Sequence, residues 1–195
     1  MEAHETHETI HEAAHHGHGG GDNPLNKRLA IMISILAALL SIVEMSGKSA
    51  QSTSMAANIE ASNLWSFFQA KTIRATTLRT AAEALDGFPG MPAGLEQRIG
   101  QWRATVDRYE SDPQTGEGRK ELAERAKRAE AERDHSFAAY HLFEYAASAL
   151  QLAIVLCSAA AVTGRIGLAF GAGGLGVIGV VLGFLAWLAP GLLHI

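Results

Sequence analysis

The sequence predicts an all-α membrane protein: three transmembrane helices with an extramembrane helical stalk, a coiled-coil-like antiparallel hairpin plus a short helix. Three observations predict it. Apolar stretches run over residues 29–43, 145–162 and 166–188, each near or beyond the roughly 20 residues a helix needs to cross a bilayer core. Backbone polar groups in lipid must be satisfied within their own segment, so these stretches are helices. Between the first two lies a charged segment, residues 47–139, whose apolar residues recur at helical spacing. That segment dilutes the mean hydropathy to +0.07, a value that resembles a soluble protein's.

Composition narrows the function classes. The chain has 195 residues, which suits one compact unit. Sixteen basic against 20 acidic residues give a net charge of −4, and no nucleic-acid partner is expected, because phosphate binding needs a basic excess. The single cysteine, Cys157, lies in the second span, so no internal disulfide forms. A signal peptide is not expected: the first apolar stretch opens only at Leu29, behind an acidic and histidine-rich leader, and lacks a small-x-small cleavage site.

The elements follow in order. Residues 1–26 form a His/Glu-rich leader, expected to be disordered, with a flexible glycine run at 17–21. The first span, 27–47, opens behind Lys27 and Arg28 and ends near Glu44 and Lys48, one helical turn apart and able to pair. Ser46 and Gly47 offer a kink without forcing a break. The extramembrane segment, 48–139, becomes coiled-coil-like from Ala61. There Ala61, Leu64, Phe68, Lys71, Ala75, Leu78, Ala82 and Leu85 alternate steps of three and four, and Lys71 alone is polar. The helix must stop at Asp86-Gly87-Phe88-Pro89-Gly90-Met91-Pro92. A short helix then carries Leu95, Ile99, Trp102, Val106 and Tyr109 on one stripe, up to Ser111-Asp112-Pro113.

A third extramembrane helix starts near Arg119 and enters the second span, 140–163, with no Gly or Pro to interrupt it. Glu121 with Arg125, and Glu124 with Arg128, have i, i+4 spacing, each pair worth a few tenths of a kcal/mol. Ala123, Ala126 and Ala129 leave room for a partner helix. Thr163-Gly164-Arg165 makes a tight hairpin into the third span, 166–189. On that span Ala172, Gly176, Gly179, Gly183 and Ala186 form a small-residue face. Lipid gives helices no hydrophobic drive to pair, so close backbone approach supplies the gain, and helix packing is the expected role.

Glu44-Met45-Ser46-Gly47-Lys48-Ser49-Ala50-Gln51, Ala57-Asn58-Ile59-Glu60-Ala61-Ser62-Asn63 and Trp65-Ser66-Phe67-Phe68-Gln69-Ala70-Lys71 carry a resemblance to the bacterial membrane proteins of the domain of unknown function 4337 family. The last run is the most specific. The resemblance covers nearly the whole chain and implies an early span, a charged helical middle, two closing spans and a bacterial inner-membrane setting. It implies no activity.

Three groups of residues are candidates for chemistry. His4, His7, His11, His15 and His18 are spaced 3, 4, 4 and 3, which aligns five imidazoles on one helix face. Such an array suits a divalent transition metal, although no cofactor is otherwise expected; the alternative is a solvated, pH-sensitive tail. Glu44, Lys48, His141 and Glu144 lie at the same membrane face and form a candidate ion or proton site, against the plainer reading of interfacial charge. Trp65, Phe67, Phe68, Tyr140, Phe143 and Tyr145 read as an aromatic belt. No motif of nucleophilic, metalloprotease or nucleotide chemistry occurs, so no enzyme is expected.

Lys27, Arg28 and Arg165 favour a cytoplasmic leader with the helical middle outside, while basic residues flanking the middle segment pull the other way. The function expected is a non-enzymatic subunit that self-associates or scaffolds other membrane proteins through the Ala61 to Leu85 seam and the glycine face. The alternatives are a small oligomeric ion or proton transport subunit using Glu44 and Glu144, and a membrane-anchored metal-buffering protein acting through the leader.

Overall fold

A computed structural model describes residues 24–87, 89–90 and 92–192. The described residues form four α-helices and no strand: α1 (Pro24–Leu85), α2 (Ala93–Glu110), α3 (Arg119–Thr163) and α4 (Ile166–Leu188), followed by a 3-10 turn at Pro190–Leu192. Three of them, α1, α3 and α4, are long and apolar enough to cross a membrane. The helix ends fall where Pro and Gly make continuation costly. Leu85 is the last residue of α1 before the Gly/Pro turn, and α2 starts directly after Pro92. Gly164, at φ +68°, closes α3 by donating its N–H to the Ala160 carbonyl at 2.9 Å, a left-handed position that a β-carbon would strain.

The first span and the seam from Ala61 are parts of one helix, 62 residues long, with no break at Ser46-Gly47. Two local reasons account for this. The Ser46 hydroxyl is spent on the Ile42 carbonyl of its own helix, at 2.9 Å. Gly47 is buried and stays helical; a β-carbon there would lie 3.2 Å from Cβ of Phe143. The glycine serves close approach, not bending.

The chain divides into two compact units: the described residues up to Gln51 together with those from Ser136 onward, and Ser52–His135. In the first unit α1, α3 and α4 share one core. Leu36, Leu40 and Val43 meet Leu142, Phe143, Ala146, Leu150 and Cys157, with Ala172 and Ala186 closing it. Antiparallel pairing of α1 with α3 shows in two contacts, Gly47 with Phe143 and Glu44 with Gln151. Outward faces carry large apolar side chains, among them Ile31, Ile42, Val155, Phe170, Phe184 and Trp187, the last 76% exposed.

In Ser52–His135, α1 and α3 are again antiparallel. Ser54 Oγ donates to the Arg133 carbonyl at 3.2 Å, Trp65 Nε1 to Glu130 at 2.9 Å, and Lys71 Nζ to Glu117 at 3.4 Å. Ala61 and Leu64 pack on Leu122, Ala126 and Ala129, with Trp65 and Phe68 along the edge. All eight seam positions from Ala61 to Leu85 are buried or half-buried. The short helix α2 buries Ile99 and Val106.

Candidate functional site

The small-residue face of α4 is closely packed within its unit. Ala172, Gly176, Gly179 and Ala186 are buried and Gly183 is half-buried. A β-carbon on Gly179 would stand 2.8 Å from Cγ of Leu150 and 3.0 Å from the Ala146 carbonyl; on Gly176, 2.9 Å from Leu36 Cδ2; on Gly183, 3.3 Å from Val43 Cγ2. The face is therefore filled by α1 and α3 of the same chain. Likewise the Ala61 to Leu85 seam is spent within its own unit. Both surfaces expected to bring a second molecule together are occupied internally, because helix spacing defines a face without saying which helix fills it.

Of the four residues of the candidate ion site, His141 and Glu144 meet on one helix, while Glu44 is bonded elsewhere. Glu44 accepts from Gln151 Nε2 at 3.2 Å, and no ion pair joins it to Lys48 among the described residues. Glu144 has other partners: it accepts from the Tyr140 hydroxyl at 2.5 Å and lies 3.3 Å from His141 Nδ1, both on its own helix. Among the described residues, no three His, Cys, Asp or Glu side chains are grouped to hold a metal. His4, His7, His11, His15 and His18 lie outside the described residues.

The aromatic belt is only partly an aromatic surface. Trp65 and Phe68 form an edge-to-face pair at 5.5 Å and pack on the alanine face of α3. Phe143 is buried against Gly47. Tyr145 and Phe137 are exposed, and Phe137 stacks edge-on against His141 at 4.4 Å. Apolar area on an amphipathic helix is first claimed by the nearest partner helix, and Trp65 offers its N–H to Glu130 as well.

The spacing placed Lys71 in the seam but named no partner for it. Lys71 is only 7% exposed, with its ammonium 5.2 Å from the Phe67 ring centroid, 5.4 Å from that of Tyr109, and paired to Glu117. Beside this group in sequence, Arg119 pairs with Glu110 at 2.6 Å and lies over Phe68. Glu124 and Arg128 pair as expected, at 3.5 Å. Glu121 does not turn to Arg125; it accepts from Ser111 Oγ at 2.7 Å and from the Asp112 N–H at 3.2 Å. The Ser111 hydroxyl holds the Glu121 carboxyl below its usual range, and Thr115 does the same for Asp112. Gly118 leaves the space this requires, since a β-carbon there would collide with the Asp112 backbone nitrogen. The signal was present: a carboxylate in the first turn of a helix behind a Ser-Asp-Pro turn.

These elements define an all-helical protein with three helices of membrane-spanning length and polar groups engaged in pairing and capping. Residues 25–189 match the family described as a domain of unknown function (DUF4337), and the chain belongs to that family. No curated protein and no solved structure matches it.

Proposed function

We propose that this is a non-enzymatic, multi-pass protein of the bacterial inner membrane, which self-associates or scaffolds other membrane proteins. In this reading α1, α3 and α4 cross the bilayer, and Ser52–His135 is the extramembrane helical stalk. One observation carries it: the first unit keeps Gly, Ala and Leu inside and turns Ile, Val, Phe and Trp outward, the inverse of a water-soluble surface. Hydroxyls along the apolar segments support it, since Ser34, Ser41, Ser158 and Thr163 each donate to a carbonyl four residues back, as lipid requires. The leader is assigned to the cytoplasm, with Arg165 on the same side.

The polar groups of Ser52–His135 serve structure: Lys71, Arg119, Glu121 and Asp112 are committed to helix contacts and caps. Crosslinking in native membranes followed by sizing in mild detergent tests the reading. A ladder of homo-oligomers or a stoichiometric partner is expected. A strictly monomeric species that copurifies with nothing would overturn it.

A second reading, an ion or proton transport subunit, draws on the Tyr140–Glu144–His141 chain of exchangeable groups. Ion flux in reconstituted vesicles, compared between the wild type and Glu44→Gln with Glu144→Gln, separates the two.

A further inference from the structure

With the glycine face and the Ala61 to Leu85 seam both occupied internally, α1 retains a second seam on its opposite side. In Ser52–His135, Ile59, Asn63, Ser66, Ala70, Ile73 and Thr77 follow steps of four, three, four, three and four. Five of them are exposed and Ala70 is half-exposed; Ile59 stands 60% open and Ile73 67%. In the other unit Ile31, Ile35, Ala38, Ile42 and Met45 keep the same spacing and are exposed as well. None of these positions is charged.

A solvated face in this protein looks different. Between Arg119 and Asp134 the exposed side of α3 is crowded with Lys, Arg and Glu, whereas α1 between Ser52 and Leu85 exposes only Glu60, Arg74, Arg79 and Glu83 as charges. A three-four repeat of apolar and small residues with flanking charges is the pattern of a helix that pairs with another helix.

We infer that this outer seam of α1 is the contact between two copies of the chain, formed by parallel, in-register pairing of their α1 helices; the inference rests on the self-associating reading above. Three features select a second copy as the occupant. Copies inserted the same way in one bilayer present α1 in the same direction, so a two-fold axis along the seam is available. Asn63 falls at a first core position of the heptad, no hydrogen bond among the described residues engages its amide, and an amide carries both a donor and an acceptor for its own copy across the axis. Flanking charges agree: in parallel register Lys48 faces Thr53, Glu60 faces Met55 and Arg74 faces Gln69 of the second copy, so like charges never meet.

The test is a single-cysteine scan over residues 58–74 of the full chain in native membranes, with the buried Cys157 replaced by alanine. Mild oxidation should give dimer yields that peak at the seam positions, with Ile59→Cys, Ser66→Cys and Ile73→Cys among them, and a low yield off the seam at Asn58→Cys. In parallel, Asn63→Asp should weaken the dimer at least tenfold at neutral pH by opposing two carboxylates at the axis. A flat scan, or peaks on another face, while an amine-reactive crosslinker still yields dimers, overturns the seam and leaves self-association standing. Absence of dimers by either chemistry overturns both. The substituted positions 59, 66 and 73 are exposed, so loss of fold does not imitate a negative result.

Discussion

In the unit that contains α4, helices meet through Gly176, Gly179 and Gly183, which admit Leu36, Leu150 and Val43. In Ser52–His135 the contact is made by alanines and leucines, Ala61 and Leu64 against Leu122, Ala126 and Ala129, edged by Trp65 and Phe68 and pinned by Lys71 with Glu117. Both interiors use small residues so that backbones can approach, but their surroundings differ. One exposes Phe170, Phe184 and Trp187, and the other a row of Lys, Arg and Glu. The comparison teaches that the solvent is recorded on the surface more than in the core. With lipid around the first unit, as proposed, packing must come from closeness, and glycine supplies it. Where water stands outside, burying apolar area contributes directly, so alanine suffices and aromatic edges and ion pairs can complete the contact.

The strongest challenge to this contrast is to fill the glycine face. Gly179→Leu should destabilise its unit by about 3 kcal/mol, the upper end of overpacking costs, because one neighbour is the Ala146 backbone. Gly176→Ala should cost less, its neighbour being the movable end of Leu36, and Gly183→Ala least of all. Gly174→Leu, with nothing within 4 Å, serves as the control. Thermal unfolding in detergent reads the order, and equal losses at all four would remove the close-approach argument.

Next is the pinned contact. Lys71→Ala should cost roughly 2 kcal/mol, through lost packing of the aliphatic stem and lost contact with Phe67 and Tyr109. Lys71→Met, which keeps the stem, should come within about 1 kcal/mol of the wild type, since apolar replacements of buried ion pairs are often tolerated. Denaturation followed at Trp65 or Trp102 distinguishes them. A Met variant as weak as the Ala variant would show that the charge, not the stem, holds the contact.

A smaller effect concerns the turn before α3. Hydrogen bonds hold Glu121 and Asp112 below their unfolded carboxyl range. Their contribution is present above that range and fades as pH falls through the lowered folded values. The melting difference between wild type and Glu121→Gln should therefore narrow on acidification below about pH 4; a difference that widens would contradict the assignment. Smallest of all, Glu44→Gln with Glu144→Gln should leave assembly and melting unchanged. Zinc should bind the full chain more weakly as pH drops through about 6.5, and deletion of residues 2–21 should abolish that binding if the histidines are its ligands.

The helix ends were legible because Pro and Gly act locally: the stops before Asp86, Ser111 and Gly164 need no tertiary information. The packing face of α4 was legible for the same reason, as three-four spacing of small residues. What escaped was everything set by a partner. Gly47 read as a possible kink until Phe143 occupied its missing side chain. Glu121 read as an i, i+4 partner of Arg125 until Ser111, ten residues earlier, took its carboxylate. Trp65 and Phe68 read as a belt until Ala126 and Ala129 covered them. Glu44 and Glu144 were grouped by depth, a grouping that says nothing of their bonds to Gln151 and Tyr140.

The contacts of Gly179 also carry a consequence for synthesis. The helix that bears it is made after its partners Leu36, Val43, Ala146 and Leu150. In the proposed membrane reading those side chains lie against acyl chains until α4 arrives, so a two-span intermediate is tolerable. Joined to α3 by only Thr163-Gly164-Arg165, α4 enters beside its receptor and locks the earlier helices in place. On that reading a nascent chain stalled before Ile166 would be inserted yet unlatched.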